Sequence, residues 1–231
     1  ITLNSLRNDF IANISHELKT PVSTVKLALE SLQKFDLKQD PKKSEEYLLM
    51  ASRETDRLEE LVARVLQHQA LEAADDLLTK EDCDLNLLMA SALKAMALPI
   101  REKQAEVEMK KSPAACMVRA DPVYLEGVII NLIDNSLKYA GSSPRIQLSV
   151  RCHGGLKQLV VKDNGPGIPE EFKTQVFLKF FRIPSGDKHN VKGYGLGLNF
   201  AAQVMAQLGG SISFQNLSEG GCKFVLEFPN P

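Results

Sequence analysis

Apolar residues in the first part of the chain recur every three or four positions, which is the period of one face of an α-helix. The members of this row are Leu3, Leu6, Phe10, Ile14, Leu18, Val22, Val25, Leu29 and Leu32. They predict a helix from about Thr2 to Lys34. A bend is expected near Pro21, because proline removes a backbone donor and clashes with the preceding turn.

A second helical pattern follows a charged turn at residues 36–41 and runs from Lys42 to about Ala74. Its near-heptad apolar line consists of Tyr47, Ala51, Leu58, Leu61 and Val65. Two long helices joined by a short turn form a hairpin, whose inner surface is too small to be stable alone. A second copy of the chain would complete a four-helix bundle, so we predict a homodimer. The alternative is that the hairpin packs on the downstream domain of its own chain.

The pattern changes after the acidic stretch at residues 75–82, which predicts a linker. Beyond it we predict helices at 85–104, 122–139 and 196–208, and strands at 106–110, 116–120, 145–152, 157–162, 211–216 and 223–228. Strands and helices are mixed without a repeating βαβ order. The predicted fold class is therefore α+β: a helical hairpin over residues 1–74 that forms a dimeric four-helix bundle, then an α/β sandwich over residues 83–231 with helices on one face of a mixed sheet.

Composition and charge exclude several classes of protein. The formal net charge is −1, which provides no basic field for nucleic acid. Cys83, Cys116, Cys152 and Cys222 contain no C-x-x-C pair, so neither a zinc site nor a disulfide framework is expected, and reduced thiols fit a cytosolic setting. No apolar run is long enough to span a membrane. Because the chain begins inside a helical pattern without an initiator Met, we interpret it as part of a longer protein.

His16 is the first candidate for chemistry. It lies two residues from both Ile14 and Leu18, about 200° around the helix, so we expect it on the polar side. A neutral imidazole has a free lone pair that can attack phosphorus. Most isolated surface histidines have no such role, so the interpretation depends on motifs downstream.

Asn131, Asn135 and Lys138 share one face of a predicted helix. An amide oxygen is a suitable ligand for Mg²⁺, and an ammonium group suits a phosphate. The alternative is an ordinary solvated face of an amphipathic helix.

Two glycine-rich segments follow. Asp163-Asn164-Gly165-Pro166-Gly167 comes directly after a predicted strand, where Asp163 could accept a hydrogen bond from a ligand; the alternative is a tight turn. Residues 193–198, Gly-Tyr-Gly-Leu-Gly-Leu, open a helix whose N-terminus could bind phosphate. They match neither the dinucleotide fingerprint nor the P-loop. The long irregular stretch at 164–194 between these segments predicts a functional loop.

In this order and spacing, the motifs resemble the catalytic core of the sensor histidine kinases of two-component signalling. Residues 15–21 resemble the H box, 131–139 the N box, 163–169 the first glycine box, 177–182 the phenylalanine box and 193–198 the second glycine box. The resemblance covers essentially the whole chain. It implies a dimerisation and phosphoacceptor hairpin followed by the GHKL-type (Bergerat) ATP-binding fold, which gyrase, the MutL repair proteins and a heat-shock chaperone share.

The resemblance implies a role for each matching position at an ATP and Mg²⁺ site. Asn135 would hold the metal, Asn131 would assist at the metal and phosphates, Lys138 would contact phosphate, Tyr139 would line the adenine side and Asp163 would accept the adenine amino group. The nucleotide-side backbone and hinges of a lid at about 164–194 would be Gly165, Gly167, Gly193, Gly195, Leu196 and Gly197. Arg182, Lys188 and Lys192 are candidates for phosphate contacts. Phe177, Phe180 and Phe181 have a structural interpretation as aromatic anchors of the lid.

The resemblance also implies a mechanism and partners. His16 would attack the γ-phosphoryl group of ATP with Glu17 as base or orienting partner, and an Asp of a response regulator would receive the group. Thr20 occupies the position that the family uses for regulator dephosphorylation. The alternative is a nucleotide-binding scaffold that acts mainly as a phosphatase. The family implies a cytoplasmic core, with attachment to the inner membrane only through a segment upstream of this chain.

Two positions depart from the commonest family pattern. Ala140 replaces the usual Ser or Thr after the N box, and Leu178-Lys179 replaces the more usual Glu-Pro pair. Neither change removes a predicted ligand, so we expect activity to be retained.

Overall fold

The computed structural model describes residues 3–34, 40–73, 78–183 and 195–229. The chain divides into two compact units, Ile1–Ala73 and Ala74–Pro231. Within the described residues, every helix is too short or too polar to cross a lipid bilayer.

The first unit is a pair of long helices that pack against each other, α1 at Leu3–Lys34 and α2 at Pro41–Ala73. Both begin and end within one residue of the prediction, because their apolar periodicity is a local signal. α1 includes Pro21, and the predicted bend there stays a prediction. Most of the predicted turn at 36–41 lies outside the described residues.

The second unit contains the remaining helices and all strands of the described residues. In chain order they are β1 (Glu81–Asp84), α3 (Leu85–Ala95), α4 (Ala97–Glu102), β2 (Glu106–Lys110), β3 (Met117–Ala120), α5 (Pro122–Tyr139), β4 (Arg145–His153), β5 (Leu156–Asp163), a short 3-10 helix (Glu170–Phe172), α6 (Gly197–Gln207), β6 (Ser211–Asn216) and β7 (Cys222–Phe228). β1 and β3 form a two-stranded antiparallel sheet.

The main sheet of the second unit has the strand order β2-β4-β5-β7-β6. β2 is parallel to β4, and the other neighbours are antiparallel, so the sheet is mixed as predicted. Ile146, Leu148 and Val150 alternate along β4 with more exposed residues, and α3 and α5 contact this strand. Burial on alternate residues means that the helices cover one face. The predicted α/β sandwich is therefore confirmed.

Two elements differ from the sequence prediction. The prediction of a single helix at 85–104 is wrong, because α3 ends at Ala95, Met96 is its C-cap, and α4 begins at Ala97. Pro99 explains the break: proline lacks an amide hydrogen and clashes with the carbonyl four residues earlier, which kinks or breaks a helix, whereas Pro99 is accommodated in the first turn of α4. β1 occupies the last two residues of the predicted linker and pairs with β3, with Glu81 opposite Ala120.

Candidate active site

Asp163, the last residue of β5, is held in place by the main chain around it. Its Oδ1 accepts hydrogen bonds from the backbone N–H of Gly165 at 2.8 Å and of Cys222 at 3.1 Å. Among the described residues, the hydroxyl of Ser136 is the group that contacts Oδ2, at the long distance of 3.4 Å. A carboxylate offers about four acceptor sites, so Oδ2 retains capacity for a donor from a ligand.

The turn after Asp163 leaves no room for a side chain. A Cβ on Gly165 would lie 2.9 Å from Asp163 Oδ1 and 3.3 Å from the carbonyl oxygen of Tyr139. Gly167 has φ = +77°, a conformation that L side chains rarely adopt. The side chain of Asn164 does not face this turn, because its Oδ1 accepts the N–H of Arg145, the first residue of β4, and its Nδ2 donates to the carbonyl of Ser143.

The polar face of α5 lies next to the beginning of α6. Asp121 is the N-cap residue that precedes α5, and its Oδ1 accepts hydrogen bonds from the backbone N–H groups of Val123 and Tyr124. Asn131 and Asn135 are both half-buried on this helix. A Cβ on Gly197, the first residue of α6, would lie 3.4 Å from Asn131 Oδ1.

The start of α6 is a suitable place for an anion. Its N-cap residue, Leu196, has no side-chain group that could satisfy the first N–H groups of the helix. Leu196 itself is buried. The positive end of the helix dipole at this helix start favours a negatively charged ligand.

Gly195 makes the closest approach in this region. Its φ is +67°, and a Cβ there would lie 2.7 Å from the carbonyl carbon of Phe180. Phe180 also has a positive φ, +69°, and its N–H donates to the carbonyl oxygen of Gly195 at 3.0 Å. Phe177 packs on Phe214 of β6, and Phe181 is buried against Phe172. Phe177 thus contacts the main sheet, whereas the contact of Phe181 with Phe172 lies within the range of the predicted lid, and the anchoring of a lid stays a prediction.

Two of the remaining candidates are near charged neighbours. Lys138 forms an ion pair with Asp134 one turn earlier on α5, at 2.5 Å. Tyr139 is half exposed. Burial of its hydroxyl raises the pKa of Tyr139, and the nearby Arg182 guanidinium acts in the opposite direction. Arg182 therefore lies within electrostatic range of the end of α5.

The described residues fit a Mg²⁺-nucleotide. The site offers a fixed carboxylate, two amides on one helix face, and a helix start where glycine permits close approach. Amide oxygens are hard ligands of the kind that Mg²⁺ prefers. Asn135 is the residue that would hold the metal, which would neutralise phosphate charge when bound.

The other predicted site residues are distributed as follows. His16, Glu17 and Thr20 lie on α1, in the first unit. Thr20 is exposed, whereas the side chains of His16 and Glu17 lie outside the described residues. Lys188, Lys192 and Gly193 also lie outside them, as does all of the predicted lid after Ile183.

Sequence reasoning missed four residues that support Asp163. Ser136 contacts its carboxylate, Cys222 donates to it, Gly221 lies against its main chain and Asn216 bonds the turn that follows it. Burial and, to a smaller extent, the charge of Asp163 raise the pKa of Cys222 to about 12, so its thiol stays protonated at neutral pH. No sequence signal connects Asn216 with a loop 48 residues away, because only the strand order brings them together.

Two family models match the chain. Residues 6–74 match the His Kinase A (phospho-acceptor) domain, and residues 120–231 match the histidine kinase-, DNA gyrase B- and HSP90-like ATPase. The sensor protein RprX of Bacteroides fragilis is 31% identical over 229 residues. That similarity covers 98% of this chain and 44% of RprX, so the chain spans less than half of that relative's length.

Solved structures show the same folds. The catalytic domain of the histidine kinase ThkA is 26% identical, with a TM-score of 0.58 over 65% of this chain and 95% of the other. ThkA in complex with the response regulator TrrA matches with a TM-score of 0.69 at 24% identity, covering 98% of this chain and 63% of that one. Full-length ShkA in complex with AMPPNP matches with a TM-score of 0.68 at 24% identity, covering 100% of this chain and 47% of ShkA.

The phosphoacceptor hairpin, the ATPase-type sandwich and these relatives together define the class: the chain belongs to the sensor histidine kinases of two-component systems.

Proposed function

We propose that this chain is the catalytic core of an ATP-dependent protein-histidine kinase that phosphorylates His16 and passes the phosphoryl group to an Asp of a response regulator. The observation that carries the proposal is the anchored carboxylate of Asp163. One of its oxygens is held by two backbone N–H groups, and the other retains acceptor capacity at the end of a central strand. Such an acceptor suits the exocyclic amino group of adenine.

The rest of the nucleotide would lie along α5 and the start of α6. Asn135 would hold Mg²⁺, and Asn131 and the Gly195–Gly197 backbone would face the phosphates. Tyr139 and the turn with Gly165 and Gly167 would border the base. In these elements the glycines let the backbone pass close to Asp163, Asn131 and Phe180, which a side chain would prevent.

The basic candidates would complete the site. Lys138 would exchange its ion pair with Asp134 for a phosphate oxygen, which is feasible because the pair remains partly exposed to water. Arg182 would supply a second positive charge near the end of α5. Lys192 and Gly193 would act from the lid.

In the transfer step, a ring nitrogen of His16 would form a bond to the γ-phosphorus while the bond from that phosphorus to the oxygen of ADP breaks. The proton of the imidazole would pass to Glu17, the base or orienting partner. In phosphoryl transfer, the protein mainly positions the reacting groups and neutralises the charge of the phosphates. In this proposal residues 1–74 accept and pass on the phosphoryl group and residues 83–231 bind ATP, with the predicted linker at 75–82 between them, whose last two residues belong to β1.

The kinase proposal is tested by incubating the purified chain with γ-labelled ATP. We expect acid-labile, base-stable label with Mg²⁺, no label with EDTA and no label in His16→Ala. Asp163→Asn should lose nucleotide binding, because it places an amide where the adenine amino group needs an acceptor. Label that persists in His16→Ala would contradict the assignment of His16.

A second candidate function is dephosphorylation of the response regulator. In the scaffold alternative, the chain binds nucleotide and acts mainly as this phosphatase. The favouring observation is that Thr20 is exposed on α1 one turn after His16. A hydroxyl there could orient a water molecule. The binding of TrrA by ThkA supports a receiver domain as partner.

The phosphatase proposal is tested with a phosphorylated receiver domain. Thr20→Ala should slow its dephosphorylation by about tenfold or more, as expected for loss of one positioned catalytic group, and autophosphorylation should be retained. Ser23→Ala, a hydroxyl on the same helix, is the matched control. An unchanged dephosphorylation rate in Thr20→Ala would contradict the phosphatase role of Thr20. A wild-type chain that dephosphorylates the receiver domain but does not autophosphorylate would favour the scaffold alternative.

A further inference from the structure

Asn216, the last residue of β6, bonds both main-chain groups of a single residue in the loop after Asp163. Its Nδ2 donates to the carbonyl oxygen of Ile168 at 2.7 Å, and its Oδ1 accepts the N–H of Ile168 at 2.9 Å. Ile168 is buried but belongs to no strand. The carboxamide therefore acts as a strand partner would, and it satisfies polar groups that burial would otherwise leave unpaired.

The fit between Asn216 and the loop is close. A Cβ on Gly167 would lie 3.0 Å from Asn216 Oδ1, so a side chain at position 167 would press on the amide. The positive φ of Gly167 turns the chain so that both groups of Ile168 face Asn216. Glycine and asparagine at these positions thus depend on each other.

Cys222 links this contact to Asp163. Asn216 pairs with Cys222 across the β6–β7 hairpin. The backbone N–H of Cys222 donates to Asp163 Oδ1 at 3.1 Å, and its Sγ donates to Asn216 Oδ1 at 3.4 Å. The end of one hairpin therefore holds the loop at both ends, at Asp163 and at Ile168.

We propose that Asn216 is a positioning residue for nucleotide binding, which fixes the turn from Gly165 to Ile168 so that Asp163 and the adjoining backbone meet the base in a preformed arrangement. This inference rests on the proposed ATP site and deepens it. Without the carboxamide, the loop would have to be ordered when the nucleotide binds, and that ordering reduces affinity. The bound arrangement would be the same, so transfer at saturating ATP would be little affected.

The test uses two substitutions in the full chain. Asn216→Ala removes both hydrogen bonds, whereas Asn216→Asp keeps the shape and one acceptor but replaces the donor with a negative charge facing the Ile168 carbonyl. Gln215→Ala is the matched control, because Gln215 is exposed on the neighbouring position of the same strand. Thermal melting of each variant checks that it folds, and Asn216→Asp carries the test if Asn216→Ala does not fold.

We expect both Asn216 variants to bind Mg-ATP about tenfold more weakly, the equivalent of one to two net hydrogen bonds. Their rate of His16 labelling at saturating ATP should stay within about twofold of wild type. Amide hydrogen exchange at residues 165–168 should be faster in the variants without nucleotide, and Gln215→Ala should match wild type in all three measurements.

Three results would overturn the inference. Unchanged affinity in both variants, or unchanged exchange at 165–168, would show that the loop holds itself. A loss confined to the labelling rate at saturation would place Asn216 in the transfer step instead. If the wild-type chain binds no ATP, the proposed function is wrong and the positioning role of Asn216 is wrong with it. If the wild-type chain binds ATP and the Asn216 variants bind it equally well, only the positioning role is wrong.

Discussion

At the scale of single residues, Gly221 shows how closely the chain passes over the candidate site. Its φ is +99°, and a Cβ there would lie 1.9 Å from the carbonyl oxygen of Asp163. Gly220 has a similar φ, +92°, but the nearest atom to its Cβ would be 3.8 Å away. The two neighbours therefore share a backbone conformation and differ in the space around them.

Gly221→Ala should lower the free energy of unfolding by more than about 3 kcal/mol. Gly220→Ala should lower it by only about 1–2 kcal/mol, which is the strain of a positive φ in a residue with a Cβ. The difference arises because the methyl group at 221 must push the end of β5 away from β7. Denaturant unfolding of the full chain measures both values. Nucleotide affinity should fall with Gly221→Ala, since Asp163 would shift.

Equal destabilisation by the two substitutions would contradict this prediction. It would mean that the backbone conformation alone requires glycine and that the contact with Asp163 relaxes easily.

At the scale of elements, the helical hairpin leaves apolar side chains on its outer faces. Val62 and Leu66 of α2 are 51% and 58% exposed, and Leu48 lies two heptads before Val62 on the same stripe. On α1, Ile11, Val22 and Leu29 form a comparable exposed stripe. In the described part of the hairpin, these two apolar stripes are exposed to solvent. Their exposure favours the predicted dimer, in which a second copy of the chain completes the four-helix bundle.

Leu66→Lys should raise the dimer dissociation constant by about tenfold or more, because it places a charge in an apolar interface. Met50→Lys is the matched control: Met50 is also exposed and apolar, but it lies about 200° around α2 from Leu48. Sedimentation equilibrium of each variant of this chain gives the dissociation constants.

A wild-type chain that sediments as a monomer would contradict the dimer prediction and favour the alternative, in which the hairpin packs on its own chain. Equal weakening by both substitutions would contradict the assignment of the stripe.

At the scale of the whole molecule, helices and strands were predicted correctly where the residues that determine them are close together in the sequence. α1, α2 and α5 match the predicted bounds to within one residue, because periodicity, the Asp121 cap and Pro122 all act within one or two turns. β6 was also predicted correctly at Ser211–Asn216. β1 was missed because four mostly polar residues form a strand only when β3 pairs with them.

The residues of the candidate site also fall into two groups: those that local motifs identify and those that only the fold brings together. Asp163, the α5 amides and the glycines could be named from motifs, because each motif is a short run of residues. Their supports could not be, since Ser136, Asn216 and Cys222 come from three different elements. The hydrogen bond from the Cys222 N–H to Asp163 exists only after the sheet has formed, whereas the one from Gly165 is local.

The sequence by itself determined the helix periods, the caps, the glycine positions and the family that they indicate, because these depend on neighbours within a few residues. Only the tertiary structure decided that the β6–β7 hairpin would hold the loop after Asp163 and that Gly221 would lie against the main chain of Asp163. The physical reason is that hydrogen bonds and steric contacts act over a few ångströms in space, whatever the separation along the chain.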